Sequence, residues 1–478
     1  MQRKRKASDD SGAGLGAHED QHGDALVSAS IGQNAQRSQD GIDRSFRELY
    51  AKPPDFKELS RLDANFASIA KGRDIDFRDP KAVMQLTKTL LKLDFGIDMV
   101  FPDDRLCPPV PNRHNYILWL KDLLDTSSYN RTWQKLTGLD IGTGASCIYP
   151  LLGCKQRPWS FIATDIDAES LKWAKKNVEL NHLTHRINIV SRTPESPLIP
   201  LGELGMESIG FVMTNPPFYE SEEALLRSAR QKQRPPFTAC TGSKTEMVTI
   251  GGEAEFVDRI FRESLTLRER VQWYTAMFGF LSSLTDFIDK LRGARITNYA
   301  VTEFVQGNKT RRWAVAWSFT AMRPAQHVAR GTRAALSKNI LPHVSEAEVL
   351  AVELSDKIGV FVAKITDVIQ TLELMSWEWD REAYEGIGRA AGKVWSRQWR
   401  RRKKRGQESA GDDKGESFSS LAGPNSIFGF KVWVHVSMKH VSVGCRWLEG
   451  FDATAFESFQ GFLKATARDA ADSPQRHP

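Results

Sequence analysis

The chain has 478 residues, a formal net charge of +7 and five cysteines. Its length is sufficient for one large α/β core and a second, smaller domain. No two cysteines form a C-x-x-C pair, which argues against a disulfide framework and against a zinc site. The sequence contains neither an N-terminal apolar segment of signal length nor an apolar run of about 18 residues, so we expect neither secretion nor a membrane span.

Residues 1–40 are predicted to be a disordered polar tail that opens with the basic cluster Arg3-Lys4-Arg5-Lys6. Gly, Ser and Asp dominate this stretch, which has too little apolar surface to fold. The cluster is typical of a nuclear-import signal or of phosphate contact, and a solvated surface explains it equally well. Residues 41–130 follow with short predicted helices, including one from Lys81 to Leu93.

A glycine-rich turn follows a short apolar strand in the segment 139–146, which has the sequence LDIGTGAS. Gly142 and Gly144 allow the backbone to approach a nucleotide-like ligand closely, because they carry no Cβ atom. As a dinucleotide fingerprint the loop is incomplete, since Cys147 occupies the third glycine position.

The next predicted strand, Ser160 to Thr164, ends at Asp165, which lies 23 residues beyond Gly142. An acid in this place can accept hydrogen bonds from both hydroxyls of a ribose. The alternative is that Asp165 caps the helix predicted to begin near Ala168.

A third motif, Asn215-Pro216-Pro217-Phe218, follows the apolar strand Ile209 to Met213. The Asn215 side-chain carbonyl and the Pro216 main-chain carbonyl can accept the two hydrogens of a planar amine, and Phe218 can stack on a base. The paired prolines stiffen the loop. An ordinary turn is the alternative, but open α/β sheets bind their ligands where strands end.

These three motifs occur in the order that is typical of a class I S-adenosylmethionine-dependent amino-methyltransferase. Strands and helices alternate over residues 131–322, which predicts a mostly parallel, Rossmann-like sheet. A polar loop after the third motif carries basic residues that we expect to contact RNA phosphates beside the target base. These residues are Arg227, Arg230 and Arg234.

Residues 323–478 are predicted to form a small α+β region. The alternation over Phe428 to Val436 and His440 to Leu448 predicts a hairpin, followed by a closing helix. The basic run 397–405, which includes Arg400 and Arg401, offers phosphate contacts. Residues 406–425 are predicted to be a disordered insertion, and Trp395 and Trp399 are predicted to share one buried helical face.

Five further stretches have distinctive sequences. Four of them are continuous, namely 105–117 (RLCPPVPNRHNYI), 140–153 (DIGTGASCIYPLLG), 302–307 (TEFVQG) and 312–319 (RWAVAWSF). The fifth is a group of three short pieces, Thr241-Gly242, Glu246-Met247 and 251–257. Together they resemble the methyltransferase-like protein 16 family, the U6 spliceosomal RNA adenine methyltransferases. The resemblance covers about residues 40–320 and implies that residues 41–130 form a helical RNA-contacting module leading into the core. Residues 323–478 resemble the family's C-terminal RNA-binding region, which implies that they bind RNA.

The resemblance also implies roles for single residues. The family's cofactor-binding arginine falls on Arg113, its loop glycine on Gly142, its ribose-binding acid on Asp165 and its catalytic tetrapeptide on 215–218. A guanidinium is suited to the methionine carboxylate of S-adenosyl-L-methionine. One position departs from the family, because Ser196-Pro197 stands where a Lys-Thr pair is usual. Without this lysine, regulation by an inhibitory loop that closes over the site is in doubt.

The expected function is methylation of the exocyclic amine of an adenosine, with U6 small nuclear RNA as the expected target. The expected partner is structured RNA. The expected location is the nucleus, and the cytoplasm is a further possible location. No metal is expected, because the leaving thioether is neutral. A ribosomal RNA adenine methyltransferase, a protein glutamine methyltransferase and an RNA-binding scaffold remain alternatives. The sequence does not indicate an oligomeric state.

Overall fold

The structure, a computed structural model, describes residues 41–72, 74–102, 104–129, 135–224, 244–306, 310–331, 338–353, 358–399, 401 and 427–472. The chain up to Pro54 is one unit, helical over 41–48, and the chain from Asp55 onward is a second unit. Several predictions lie outside the described residues. They concern the tail 1–40, the insertion 406–425, and Arg227, Arg230, Arg234 and Arg400.

A seven-stranded sheet forms the centre of the second unit. Its first five strands run parallel, and the last two form an antiparallel hairpin that pairs with the fifth. The order β3-β2-β1-β4-β5-β7-β6 confirms the predicted Rossmann-like class. The strands are β1 Thr137–Ile141, β2 Ser160–Asp165, β3 Ile187–Ser191, β4 Ile209–Thr214, β5 Val271–Phe278, β6 Tyr299–Gln306 and β7 Thr310–Trp317.

The middle of this sheet is buried on both faces. Every residue of β4 is buried, as expected for a parallel strand covered by helices on each side. Gly138 of β1 has no room for a side chain, because the ring of Phe211 in β4 occupies that space. Close packing therefore fixes β1 and β4 side by side, and the loops that follow them begin from fixed points.

Ten helices of the described chain accompany the sheet. Pro80 begins the third of them and Asp79 caps it, a combination that favours helix initiation. The fourth is buried on several sides and packs against the fifth helix and β6, so it is a layer of the methyltransferase core. The helices are α1 Phe56–Leu62, α2 Ala64–Ile69, α3 Pro80–Phe95, α4 Val110–Thr126, α5 Ile148–Gln156, α6 Ala168–Leu180, α7 Lys244–Met247, α8 Gly252–Leu267, α9 Leu281–Gly293 and α10 Gln326–Ala329.

The C-terminal region is an antiparallel sheet packed against two helices. Its strand order is β8-β12-β11-β10-β9, and helices α11 and α12 share one apolar core with it. The sequence predicted the β11–β12 hairpin almost to the residue. The elements are β8 Glu346–Glu353, α11 Ile358–Gln370, β9 Leu374–Asp380, β10 Glu385–Ala390, β11 Phe428–Val436, β12 His440–Glu449 and α12 Ala453–Asp472.

The two tryptophans near the basic run do not share a helical face. Trp395 lies in a turn and is buried, with its ring 5.1 Å from that of Phe428 and 5.0 Å from that of Phe459. Trp399 is only partly buried, and its Nε1 atom donates to Glu373 at 2.8 Å. The spacing of four residues suggested a helix, but the helical turn begins only after Trp395.

A cluster of polar contacts joins the C-terminal sheet to the methyltransferase core. Arg389 donates to both carboxylate oxygens of Glu449, at 2.8 and 3.0 Å, and the Tyr129 hydroxyl donates to Glu449 at 2.7 Å. The guanidinium of Arg323 lies 3.7 Å from the centre of the Trp447 ring. Burial lowers the pKa of Arg323 to about 9. The hydrogen bond from Tyr129 to Glu449 therefore joins the chain after α4 to β12, and the Arg389–Glu449 ion pair within the C-terminal sheet holds the accepting carboxylate in place.

Candidate active site

A cleft opens at the carboxyl ends of β1, β2 and β4, where open α/β sheets place their ligands. Four predicted site residues line it together, namely Arg113, Gly142, Asp165 and Asn215. Pro217 lines it as well. Pro216 and Phe218 lie next to it in the chain but do not line the cleft.

The glycine loop turns sharply at the mouth of the cleft. Gly142 and Gly144 have positive φ angles of 73° and 63°, a backbone conformation that residues with a Cβ atom rarely adopt. The N–H groups of Gly142 and Thr143 donate to the Thr164 carbonyl at 2.9 and 3.0 Å. Cys147, in the third glycine position, is also left-handed, with φ 48°, and it precedes the first turn of α5. The incomplete fingerprint therefore still forms a tight turn whose backbone faces the cleft.

Asp165 ends β2 beside this turn. One of its carboxylate oxygens accepts from the Gly144 N–H at 2.9 Å and the other from the Asp167 N–H at 3.0 Å. Burial raises the pKa of Asp165. The cap of α6 is Asp167, whose side chain accepts from Glu169 and Ser170, so the capping alternative for Asp165 is wrong. Its ribose-binding role stays a prediction, and its position in the cleft supports it.

Arg113 projects from α4 and is buried. Its Nη1 atom donates to the Tyr149 hydroxyl at 2.7 Å, whereas its Nε atom has no hydrogen-bond partner within the described chain. Burial raises the pKa of Tyr149 to about 12, although the charge of Arg113 opposes the shift. Tyr149 thus orients the guanidinium while leaving a buried N–H for an anionic ligand. The sequence analysis did not identify Tyr149, because no spacing links it to Arg113.

Asp140 is a buried acid at the base of the glycine loop. Burial, assisted by the nearby charge of Asp165 and opposed by Thr143 and Arg113, raises the pKa of Asp140 to about 7. Perturbed acids of this kind concentrate at functional sites. The sequence analysis did not single out Asp140, although its place two residues before Gly142 was a usable signal.

The tetrapeptide 215–218 leaves the end of β4. The Asn215 Oδ1 atom is buried and has no hydrogen-bond partner among the residues that the structure describes. Buried acceptors are normally satisfied, so an unpartnered one in a cleft indicates a place for a donor from a ligand. The Arg312 guanidinium lies 4.7 Å from the centre of the Phe218 ring. Arg312 comes from β7, and the sequence analysis gave it no role in the site.

Two segments at the rim of the cleft are held by carboxylates. The Glu246 Oε2 atom accepts from the Leu106 N–H at 3.0 Å, which joins the chain after the third motif to the chain before α4. Glu263 of α8 accepts from the N–H groups of Leu198 and Ile199, both at 2.8 Å. The stretch in which Ser196-Pro197 replaces the family's Lys-Thr pair is therefore tied to α8 without a lysine.

The residues of the cleft fit S-adenosyl-L-methionine. Two glycines allow close approach of the backbone, Asp165 faces the cleft with its carboxylate, and the Arg113 Nε atom is a donor for a carboxylate. No group of three or more His, Cys, Asp or Glu residues suited to a metal ion occurs within the described ranges. None of the helices described is long and apolar enough to cross a membrane.

Comparisons with known proteins agree with this chemistry. A family model described as RNA methyltransferase matches residues 32–321. The U6 small nuclear RNA (adenine-(43)-N(6))-methyltransferase of Schizosaccharomyces pombe is 39% identical, over 84% of this chain and 97% of the relative. The human RNA N(6)-adenosine-methyltransferase METTL16 is 43% identical, over 57% of this chain and 48% of the relative.

A solved structure is similar as well. The catalytic domain of human METTL16 in complex with MAT2A 3′UTR hairpin 1 superimposes with a TM-score of 0.51 and 42% identity. The match covers 56% of this chain and 92% of that domain. The C-terminal sheet lies outside the 32–321 match, whereas the match to the fission yeast relative, over 84% of this chain, reaches beyond residue 321. The chain belongs to the methyltransferase-like protein 16 family of RNA methyltransferases.

Proposed function

We propose that this chain transfers the methyl group of S-adenosyl-L-methionine to the exocyclic amine of an adenosine in U6 small nuclear RNA. The observation that carries the proposal is the buried, unpartnered Asn215 Oδ1 atom at the cleft, followed directly by Pro-Pro-Phe. The fission yeast relative, which this chain covers over almost its full length, is named for this reaction on U6 RNA.

The residues of the protein bind and orient the cofactor and the target base rather than activate them. S-adenosyl-L-methionine, when bound, supplies a methyl group that is already activated by the sulfonium. Arg113 holds the methionine carboxylate and Asp165 accepts from the ribose hydroxyls. The adenine amine is a weak nucleophile because its lone pair is delocalised into the ring. Asn215 and the Pro216 carbonyl therefore hold its two hydrogens so that the lone pair faces the methyl group.

The target base must leave its helix to reach this site. Phe218 offers the face on which an unstacked adenine can lie, and stacking on an aromatic ring is worth about 1–3 kcal/mol per base. The relatives' names support a structured RNA, since one acts on U6 RNA and the human catalytic domain was solved with an RNA hairpin.

We also propose that the C-terminal region 323–478 grips RNA phosphates. Arg397 and Arg401, the described arginines of the basic run, are both exposed. Arg401→Glu should weaken RNA binding and reduce the salt slope by about 0.7 to 0.9, because one phosphate contact is lost. Cofactor affinity should not change. An unaltered slope in a titration across salt concentrations would reject the phosphate contact.

A nuclear location is proposed on the basis of the basic cluster Arg3–Lys6 and of U6 RNA as the substrate. A fluorescent fusion of the full chain should concentrate in the nucleus, and substitution of the four basic residues by Ala should disperse it. An unchanged distribution in that variant would show that the cluster does not direct import.

The substrate class is tested by competition. The purified chain is incubated with labelled S-adenosyl-L-methionine and equal amounts of a U6 transcript, a ribosomal RNA transcript and a glutamine-containing peptide. We expect label in the U6 transcript. Preferential label in ribosomal RNA or in the peptide would support the corresponding alternative, and a chain that binds U6 RNA without transferring label would be a scaffold.

A further inference from the structure

The carboxylate of Glu253 holds the turn between β5 and α9. Glu253 is the second residue of α8 and is only 2% exposed. Its Oε2 atom accepts from the Gly279 N–H at 2.6 Å, and its Oε1 atom accepts from the Phe280 N–H at 3.1 Å. Burial raises the pKa of Glu253, and both N–H groups oppose that shift. Charge-assisted hydrogen bonds through both oxygens fix this turn to the start of α8.

The same turn is the surface against which Phe218 packs. A Cβ atom at Gly279 would lie 2.8 Å from Phe218 Cδ1, so the ring contacts bare backbone. Gly252, next to Glu253, lies beside the chain that follows the ring, because a Cβ atom there would be in van der Waals contact, at 3.4 Å, with the Phe218 carbonyl oxygen and the Glu220 nitrogen. The start of α8 therefore lies beside the Phe218 backbone at Gly252, and Glu253 limits the position of the Phe218 ring through Gly279.

We propose that Glu253 is a positioning residue that sets the Phe218 ring for stacking of the target adenine. The inference rests on the proposed function, and it assigns to this residue a task in base placement. Glu253 does not line the cofactor cleft, so its removal should leave cofactor binding intact. A ring displaced by a fraction of an ångström misplaces the amine that it supports, and small misplacements of a reacting group cost up to about 100-fold in rate.

A general contribution to stability is the competing explanation for this buried acid. The two explanations differ in their energetic coupling to Phe218. A residue that acts through the ring loses its effect once the ring is removed, whereas a residue that only stabilises the fold keeps it. The coupling between substitutions at Glu253 and Phe218 therefore distinguishes them.

The experiment measures kcat, the KM for a U6 transcript and the affinity for S-adenosyl-L-methionine. The variants are Glu253→Gln, Gly279→Ala, Phe218→Ala, and the first two each combined with Phe218→Ala. Glu255→Ala is the matched control, because Glu255 lies in the same helical turn but pairs with Arg262 at the surface. We expect Glu253→Gln and Gly279→Ala each to lower kcat by about 10- to 100-fold, with cofactor affinity unchanged.

In the Phe218→Ala background, neither substitution should lower kcat further. Gly279→Ala keeps the Glu253 carboxylate but adds one methyl group 2.8 Å from Phe218 Cδ1 and 3.2 Å from the Glu253 Oε2 atom. It therefore disturbs the same contact and tests the same claim if Glu253→Gln folds poorly. Losses that multiply in the double variants, or an equal loss in the control, would overturn the positioning role and leave the proposed function standing. A wild-type chain that methylates no RNA would overturn both.

Discussion

The cofactor cleft and the junction of the two sheets both bury charged and polar groups, but they satisfy them differently. At the junction, the Glu449 carboxylate accepts hydrogen bonds from Arg389 and from the Tyr129 hydroxyl, all within 3.0 Å. In the cleft, the Asn215 Oδ1 and Arg113 Nε atoms have no hydrogen-bond partner within the part of the chain that is described. Both regions carry the cost of removing polar groups from water; hydrogen bonds within the fold offset it at Glu449 but not at the Asn215 Oδ1 and Arg113 Nε atoms.

The difference separates structure from function. A buried polar group that is paired inside the fold stabilises a particular docking of two elements, whereas one that lacks a partner is kept ready for a ligand. Substitutions in the cleft should therefore change binding or turnover with little effect on folding. Substitutions at the junction should lower the free energy of unfolding with little effect on binding or turnover.

The largest effect is expected from Asn215→Ala in the cleft. Removing this acceptor should lower kcat by about 100-fold or more, because it orients the amine in the transition state. RNA affinity and the free energy of unfolding should change little. Single-turnover methylation of a U6 transcript measures the rate, and turnover comparable to that of the wild type would exclude the catalytic assignment.

Asp165→Ala tests the contribution of the cleft to cofactor binding. The loss of a charged acceptor for the ribose hydroxyls should weaken S-adenosyl-L-methionine binding by about 1.5 to 3 kcal/mol. Calorimetric titration gives the affinity directly. Asp167→Ala, which removes the cap of α6, is the matched control and should lower stability while leaving cofactor affinity nearly intact.

Glu449→Gln should break the junction without affecting the chemistry. It leaves the Arg389 guanidinium without its anionic partner, at an expected cost of about 1 to 2 kcal/mol in the free energy of unfolding, reduced because Arg389 is partly exposed. Urea denaturation measures this change. A normal unfolding curve combined with a large fall in kcat would mean that the junction belongs to the active site.

The smallest effect is a pH dependence of cofactor binding. The pKa of Asp140 is raised to about 7, so this acid is ionised above that pH and gains a proton below it. Protonation removes a negative charge at the base of the glycine loop, so the neighbouring cleft should hold the cationic S-adenosyl-L-methionine about 3- to 10-fold less tightly at about pH 6 than at about pH 8.

S-adenosylhomocysteine lacks the sulfonium charge, so its affinity should depend less on pH. Asp140→Asn should make the pH dependence of affinity the same for the two ligands. Parallel pH profiles for both ligands in the wild type would show that Asp140 does not act through its charge.

Local patterns predicted most of the fold and part of the site. Period-two alternation located β11 and β12, and a short apolar run located β4, because these patterns arise within one element. The sequence was interpreted with Asp165 alone as a possible cap of α6, and only the structure identifies Asp167 as the residue that caps this helix. The contact of Arg312 with Phe218 could not be predicted, because it depends on β7 lying next to β5 in antiparallel pairing.

Nucleoside analysis of the product tests the central claim most directly. A U6 transcript is incubated with the full chain and methyl-labelled S-adenosyl-L-methionine, digested to nucleosides and separated by mass. We predict that the label appears in N6-methyladenosine and that Asn215→Ala removes it. Label in a ribose methyl group, in another base or in the protein, or undiminished N6-methyladenosine from the variant, would contradict the account.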